Sequence, residues 1–224
     1  MPPMSEPLRL NGHEARVLGV LIEKELTTPD GYPLSINAVV LGSNQKSNRD
    51  PQTDYTEAEV VVALTGLMTK HLAGRSMPAG SRVEKYRHSA REGLGLTAAE
   101  TAVLAELLLR GPQQPGELRT RASRMSPLSS QEELLGVLGS LSQKGLARNL
   151  GRRSGERVER WGQTLAPEAH PAEAAAAPAS EPAPSPTTAT PAAPAAPAPD
   201  LAQRLADLEQ RVARLESTLA ELGG

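Results

Sequence analysis

The sequence contains no cysteine and very few aromatic residues. Its 224 residues include one Trp, three Tyr and no Phe. Without cysteine there is no disulfide framework, no thiol chemistry and no Cys-ligated metal, and a reducing compartment suits such a chain. Any core must therefore be built from Leu, Val, Ile and Ala. Because small domains bury a modest fraction of their surface, each one is expected to be only moderately stable alone.

Long apolar runs and a secretory leader are also missing. No run reaches the ~20 apolar residues that a membrane-spanning helix needs. Residues 1–7 lack the basic and then apolar order of a signal peptide. We therefore expect a cytoplasmic protein that makes no contact with a membrane.

A strong charge of one sign is absent from the first part of the chain. Residues 1–165 contain 21 basic and 18 acidic residues, a net charge of +3, whereas the remaining residues contain three basic and eight acidic ones, a net charge of −5. A charge of +3 permits contact with an anionic partner. By itself it does not argue for nucleic acid, for which a strongly basic face is the usual footprint.

Two parts of the sequence repeat one another. Arg-Val-Glu-Lys-Tyr at residues 82–86 returns as Arg-Val-Glu-Arg-Trp at residues 157–161, and residues 10–18 align with residues 96–104. Three leucines keep the same spacing in both parts, namely Leu64, Leu67 and Leu72 against Leu138, Leu141 and Leu146. Such self-similarity predicts two tandem copies of one module of roughly 75 residues. We refer to residues 1–88 as unit one and to residues 89–165 as unit two.

Unit one has the pattern of three helices followed by a hairpin. Asn11 with Glu14, and Thr56 with Glu59, have the spacing of capping boxes, and Ser35 suits the cap of a helix between them. Residues 75–88 contain a Pro-Ala-Gly turn between two short runs, which is typical of a hairpin. The third helix is expected to bury Val60, Val61, Leu64, Leu67, Met68 and Leu72.

Unit two follows the same order. Capping boxes at residues 97–100 and 130–133 begin its first and third helices, and Pro115 suits the first turn of the second, although Gln114 is a poor cap. The third helix is expected to bury Leu134, Leu135, Leu138 and Leu141. A hairpin is predicted over residues 146–161. Three helices and a two-stranded wing describe a winged helix, so the predicted fold is mainly α with small β wings, in two tandem winged-helix domains.

The composition changes after residue 165. Residues 166–199 contain 10 Pro and 15 Ala among 34 residues, which predicts a disordered, extended linker with a reach of up to roughly 100 Å. Residues 200–224 then carry apolar side chains that alternate spacings of four and three. This seam predicts a coiled-coil helix formed by Leu201, Leu205, Leu208, Val212, Leu215, Leu219 and Leu222.

The charges that flank this seam favour a parallel homodimer. In a parallel pair, Arg204 faces Glu209 of the other strand and Arg211 faces Glu216, whereas an antiparallel pair would bring like charges together. Leucine occupies most of the a positions, the first positions of the heptad repeat, and this composition also allows a trimer. The alternative is an amphipathic helix that folds back onto its own winged-helix units, which the long linker allows.

Two segments of unit one resemble the YceH family of bacterial proteins. They are Tyr-Pro-Leu-Ser-Ile-Asn at residues 32–37 and Asn-Gln-Lys-Ser-Asn-Arg-Asp-Pro at residues 44–51. Residues 96–104 and 107–119 are similar to that family as well, and the resemblance covers residues 10 to about 161. This sequence departs from the family pattern at Ser43, where the family is expected to have Cys, and at Gln114, where it is expected to have Thr. The resemblance implies tandem winged helices and no established activity, so function must be argued from sites.

The polar run at residues 44–51 is the first candidate contact site. It contains side chains that grip or read nucleic acid, namely Asn44, Gln45, Lys46, Asn48 and Arg49. The alternative is a purely structural turn, because Asn, Ser and Asp side chains bond to nearby backbone in tight connections.

The densest basic cluster lies in unit two. Its second helix carries Arg119, Arg121 and Arg124, and its wing carries Arg148, Arg152, Arg153, Arg157 and Arg160. Phosphate contacts commonly come from such positions. The alternative is ordinary solvated surface, since Glu117, Glu156 and Glu159 lie among these arginines as potential neutralising partners.

The first turns of the third helices argue against sequence-specific reading of DNA. They carry Glu57, Glu59, Glu132 and Glu133, which would repel phosphates and leave no Arg or Lys for a guanine edge. Capping and the helix dipole explain these carboxylates fully. The isolated histidines, and the lack of phosphate-binding or metal-ligand motifs, predict no enzyme, no metal and no cofactor.

These patterns predict a non-enzymatic protein that binds nucleic acid, as duplex DNA, weakly and with low specificity through basic wings and the second helix of unit two. The competing interpretation is a scaffold whose winged helices bind a protein partner, which the acidic third helices favour.

Overall fold

The computed structural model describes residues 8–77, 83–153 and 155–170, all of which belong to one compact unit. The predicted linker beyond residue 170 and the predicted coiled-coil helix at residues 200–224 lie outside the described residues, as does the turn of the first hairpin. No helix within the described ranges is long and apolar enough to cross a membrane.

Unit one contains three helices and two strands in the predicted order. They are α1 (Gly12–Thr27), α2 (Ile36–Ser43), α3 (Glu57–Thr69), β1 (Ala73–Ser76) and β2 (Lys85–His88). The side chains of Asn11 and Thr56 each accept a hydrogen bond from the backbone N–H three residues on, and their own backbone N–H groups donate to the carboxylates of Glu14 and Glu59, so both predicted capping boxes are confirmed. Strands β1 and β2 pair antiparallel, with Ala73 opposite His88.

Unit two repeats this order after a short helix that the sequence did not predict. Its elements are α4 (Ala90–Gly93), α5 (Ala98–Arg110), α6 (Pro115–Ala122), α7 (Gln131–Gln143), β3 (Ala147–Asn149) and β4 (Trp161–Gln163). The box at Thr97 is confirmed, and Gln114 makes no side-chain cap bond. At α7 the box is only half formed, because the Glu133 carboxylate accepts from the backbone of Ser129 instead of Ser130.

The last residue of the repeated pentapeptide pairs through its backbone with a residue outside the hairpin in each unit. Tyr86 and Leu34 exchange two backbone hydrogen bonds of 2.7 and 3.0 Å, and Trp161 and Gln113 exchange two of 2.9 and 3.0 Å. In each unit the residue just before the N-cap of the second helix therefore pairs with the hairpin as a third strand position. The sequence repeat marks the same structural role twice.

The capping boxes also tie the helices of each unit together. Glu14 bonds the ammonium of Lys70 at the end of α3 over 2.5 Å, and Glu100 bonds Lys144 at the end of α7 over 2.8 Å. Burial opposes ionisation of the Glu100 carboxyl, but hydrogen bonds from Lys144 and Ser140 outweigh it and lower its pKa to about 2. The same ion pair thus links the first and third helices in both units.

Helices α1 and α5 pack against each other and join the two units. Ten consecutive residues are buried in each, at 14–23 and 100–109, because each helix is covered by the other helices of its own unit on one side and by its counterpart on the other. Gly19 permits the close approach, since a Cβ there would lie 2.9 Å from Cγ of Leu109. The described residues therefore form one body around a central helix pair.

Two predicted core positions are wrong. Val61 on α3 and Leu135 on α7 are exposed, at 39% and 46%. Each third helix rests on its unit through a narrower face, formed in α3 by Val60, Ala63, Leu64 and Leu67. The broad apolar pattern predicted more contact than three small helices provide, so the third helices carry apolar residues on their outer sides.

The fold continues past residue 165 to His170. The N–H of Leu10 donates to the Leu165 carbonyl over 2.8 Å, and Nε2 of His170 lies 2.9 Å from the Asp50 carbonyl. A 3₁₀ turn at Pro167–Ala169 connects these contacts. This strap brings the end of unit two back onto the start of unit one. The described chain is thus mainly helical with two small antiparallel sheets, an arrangement consistent with winged helices.

Candidate nucleic-acid interface

The polar run at residues 44–51 forms a loop whose side chains bond mostly within the protein. The Asn44 amide donates to the Tyr55 carbonyl over 2.8 Å, and its oxygen accepts from the Tyr55 N–H over 2.7 Å. Gln45 accepts from Arg49 over 2.8 Å. The exposed residues of the run are Lys46, Ser47, Asn48, Asp50 and Pro51. The structural interpretation accounts for Asn44 and Gln45.

Arg49 lies at the centre of a buried ion cluster. Its side chain is 0% exposed and bonds Glu23 of α1 over 2.5 Å. Arg124 of unit two bonds the same carboxylate over 2.6 Å and also lies 3.2 Å from Glu106 of α5. Burial opposes ionisation of Glu23, but the two arginines outweigh it and lower its pKa. This cluster spans both units. Arg49 is buried within it, whereas Arg124 reaches the cluster from the surface and remains partly exposed.

Two further contacts fasten the loop to unit two. The Asp50 N–H donates to the Leu109 carbonyl over 3.0 Å, and Arg110 donates to the side chain of Asn48 over 2.5 Å. Asn48 has a positive φ of 59°, a conformation that Asn tolerates better than most residues. The loop therefore links the two units, and Lys46 is its one exposed basic side chain.

Helix α6 ends at Ala122, so Arg124 lies beyond it, and the two arginines that the helix does carry both bond within the protein. Arg119 donates to the Ser129 carbonyl over 3.4 Å, and Arg121 donates to Gln113 over 2.7 Å with Glu117 3.9 Å away. Neither side chain is fully exposed. Helix α6 thus offers less basic surface than its sequence suggests.

Wing two, which consists of β3, β4 and the loop between them, carries most of the exposed positive charge of unit two. Its exposed arginines are Arg148, Arg152, Arg153 and Arg157. Of its two glutamates, Glu156 lies 3.7 Å from Arg160 and Glu159 accepts from Asn149 over 2.6 Å. Arg160 itself is half-buried, and it donates to the Pro112 carbonyl. Four exposed guanidinium groups therefore share one hairpin.

Wing one, which consists of β1, β2 and the segment between them, carries exposed basic side chains that are not among the predicted contact residues. Arg75 and Arg87 are exposed, and Arg75 lies 3.6 Å from Glu84. Strand alternation could have revealed them, since Arg87 lies between the buried Tyr86 and His88 and must point to the opposite side. Both wings thus present arginine to solvent.

The third helices, α3 and α7, carry no basic side chains comparable to the arginines of the wings. Within residues 54–69 there is no Lys or Arg, and within residues 131–143 there is none either. The carboxylates of Glu57, Glu59, Glu132 and Glu133 are all exposed. Backbone and hydroxyl hydrogen bonds from Thr56 lower the pKa of Glu59, so this carboxylate is charged at neutral pH. The helix that usually enters the DNA groove is therefore uncharged or negative.

The histidines occupy separate structural positions. His13 stacks on Tyr55 with ring centroids 4.3 Å apart, and His88 is buried with Nε2 2.6 Å from Glu25. His170 is buried in the strap, and burial lowers its pKa despite the bond to the Asp50 carbonyl. Within the part of the chain that the structure describes, no three side chains of His, Asp or Glu lie together in a group able to hold a metal ion.

Comparison with known proteins places this architecture in one group. Residues 10–167 match the family described as "Protein of unknown function, DUF480". A UPF0502 protein of Geobacter sulfurreducens is 50% identical over 161 residues, which cover 71% of this chain and 73% of that protein. A UPF0502 protein of Pelobacter propionicus is 51% identical over 158 residues, covering 70% and 72%. One from Rhodopirellula baltica is 48% identical over 146 residues, covering 65% and 61%.

Proposed function

The chain belongs to the DUF480 family, which is the YceH group, and because that family carries no assigned activity we propose a function from the surface of the protein itself. It is a non-enzymatic tandem winged-helix protein that binds duplex DNA weakly and with low sequence specificity. The contact lies on wing two. The proposal retains the predicted contact through the basic wings. It assigns a smaller part of the DNA contact to the second helix of unit two than the sequence predicted.

The observation that carries the proposal is the group of exposed arginines on wing two. Five arginines and two glutamates lie between Arg148 and Arg160, and four of the arginines are exposed. Guanidinium groups bind phosphate oxygens in bidentate geometry, and phosphate contacts supply most of the affinity of non-specific complexes. Wing one adds Arg75 and Arg87 as a second basic hairpin.

Low specificity follows from the third helices. Base edges in the major groove are read mainly by Arg, Lys, Asn and Gln, and α3 has none of these residues between Glu57 and Thr69. The carboxylates at its first turn would also approach the phosphates unfavourably. Binding through wings alone is expected to be of the non-specific kind, with a dissociation constant of about 10⁻⁵ M at physiological salt.

The test is fluorescence anisotropy with a labelled random-sequence duplex at low salt. Replacing Arg148, Arg152, Arg153 and Arg157 together by Gln should weaken binding by at least about tenfold. The matched control replaces the same four residues by Lys, which retains the charge and should retain most of the affinity. Equal binding by the Gln variant and the parent would refute the assignment to wing two.

A parallel homodimer would strengthen this weak contact. We propose that residues 201–222, which lie outside the described residues, pair two chains through their leucine seam and so bring two copies of wing two onto one duplex. Light scattering should give twice the monomer mass for the full chain and the monomer mass for a chain ending at His170. Monomeric masses for both would exclude the dimer.

Protein binding is the second candidate function, and the exposed apolar residues of the third helices favour it. Val61, Val62 and Leu135 lie on the sides of α3 and α7 that face away from the core. Winged helices that display such surfaces suit docking of a protein partner. Pull-down from a nuclease-treated lysate should then recover a stoichiometric protein. Recovery of none, together with salt-sensitive DNA binding, would reject this function.

A further inference from the structure

Beyond its acidic first turn, helix α3 is uncharged and carries apolar residues both on its buried side and on its exposed side. From Val60 to Thr69 it has no charged residue. Ala58, Val61, Val62 and Thr65 follow the i, i+3, i+4, i+7 spacing of a single helix face, and all four are exposed, Val62 at 69%. Helices that are apolar all round are normally covered on all sides. This outer face of α3 thus has the composition of a buried contact surface.

An open groove of about 250 Å³ runs between this face and the start of α1. It is lined by Asn11, His13, Ala58, Glu59, Val62 and Ala63. His13 is held there by its stacking on Tyr55, and its Nε2 lies 3.6 Å from Glu59. The groove has room for an apolar side chain beside Val62.

The charge around the groove selects its occupant. Asp54, Glu57 and Glu59 are exposed at this end of α3, and residues 54–69 contain no Lys or Arg. An apolar partner that carries basic residues would satisfy both features. The seam of this chain at residues 200–224 fits less well, because it holds five acidic and three basic residues.

We propose that the outer face of α3 and the adjoining groove bind a basic amphipathic helix of another protein. An apolar side chain of that helix enters the groove beside Val62, and its Lys or Arg residues face Glu57 and Glu59. This is the helix-in-groove mode of peptide recognition, with anchors at helical spacing. The inference gives the second candidate function a defined site, and it stands whether or not wing two binds DNA.

The test uses the full chain and a fluorescein-labelled helical peptide of about 14 residues, with leucine at every third or fourth position and lysine between. Val62→Gln should weaken binding of this peptide about tenfold, and Glu57→Gln should weaken it several-fold, because the first change removes the apolar anchor and the second removes a charge. Val158→Gln alters an exposed valine on wing two and should leave binding unchanged. A peptide with glutamate in place of lysine should not bind.

Several results would overturn the proposal. They are no binding of the lysine peptide, equal binding by the Val62→Gln variant, or a fall in the mass of the full chain on Val62→Gln, which would show that a second copy occupies this face. The variant of wing two in which four arginines are replaced by Gln separates this site from DNA binding. It should lose affinity for the duplex and retain affinity for the peptide.

Discussion

Replacing Gly19 by Ala tests the packing of α1 on α5. A Cβ at residue 19 would lie 2.9 Å from Cγ and 3.0 Å from Cδ2 of Leu109, and 3.3 Å from Cβ of Leu108. Both leucines are fully buried, so they have little room to move. Alanine is favoured over glycine inside a helix by about 1 kcal/mol, whereas overpacking a core costs about 1–3 kcal/mol. We therefore expect a net loss of about 0–2 kcal/mol in the free energy of unfolding.

Gly136 of α7 provides the matched control. It is also inside a helix, but it is exposed and a Cβ there meets nothing within 4 Å. Gly136→Ala should raise the free energy of unfolding by about 0.5–1 kcal/mol. Urea unfolding followed by circular dichroism measures both, with unchanged slopes against denaturant concentration. If Gly19→Ala stabilised the protein as Gly136→Ala does, the close approach of α1 and α5 would be wrong.

Three further predictions concern buried charges. Arg49→Met should lower the free energy of unfolding by about 3 kcal/mol in urea titrations, because it removes one of the two arginines that the buried Glu23 contacts among the described residues. Glu100, whose pKa is lowered to about 2, should contribute stability above pH 4.5 that is lost as the pH falls toward 2, so Glu100→Gln should show a smaller loss between pH 7 and pH 3 than the parent. His170 has a lowered pKa in the folded protein, so the unfolded chain takes up a proton at this residue first as the pH falls through about 6.5. Thermal melts should therefore show that stability falls below that pH. The fall should be smaller in His170→Gln.

The sequence predicted features that depend on short spacings. Helix starts at Asn11, Thr56 and Thr97 follow from residues three apart, and the structure confirms them. The repeat predicted the order of elements in both units. These succeed because capping and periodicity are local, and local interactions are written in neighbouring residues.

Features that depend on distant residues were not predictable in the same way. Arg49 and Glu23 are 26 residues apart, and Arg124 joins them from unit two. No periodic pattern records such a cluster, so the sequence of the polar loop was also compatible with a contact site. The predicted burial of Val61 and Leu135 was wrong for a related reason. A broad apolar pattern does not show which of its residues pack against the rest of the chain.

The most direct test of the proposed function is the salt dependence of duplex binding. If Arg148, Arg152, Arg153 and Arg157 each neutralise one phosphate, the logarithm of the binding constant should fall against the logarithm of salt concentration with a slope of about −3.5. The variant with Gln at these four positions should give a slope much closer to zero. Absence of binding at the lowest salt, or the same slope for parent and variant, would contradict the assignment of DNA binding to wing two.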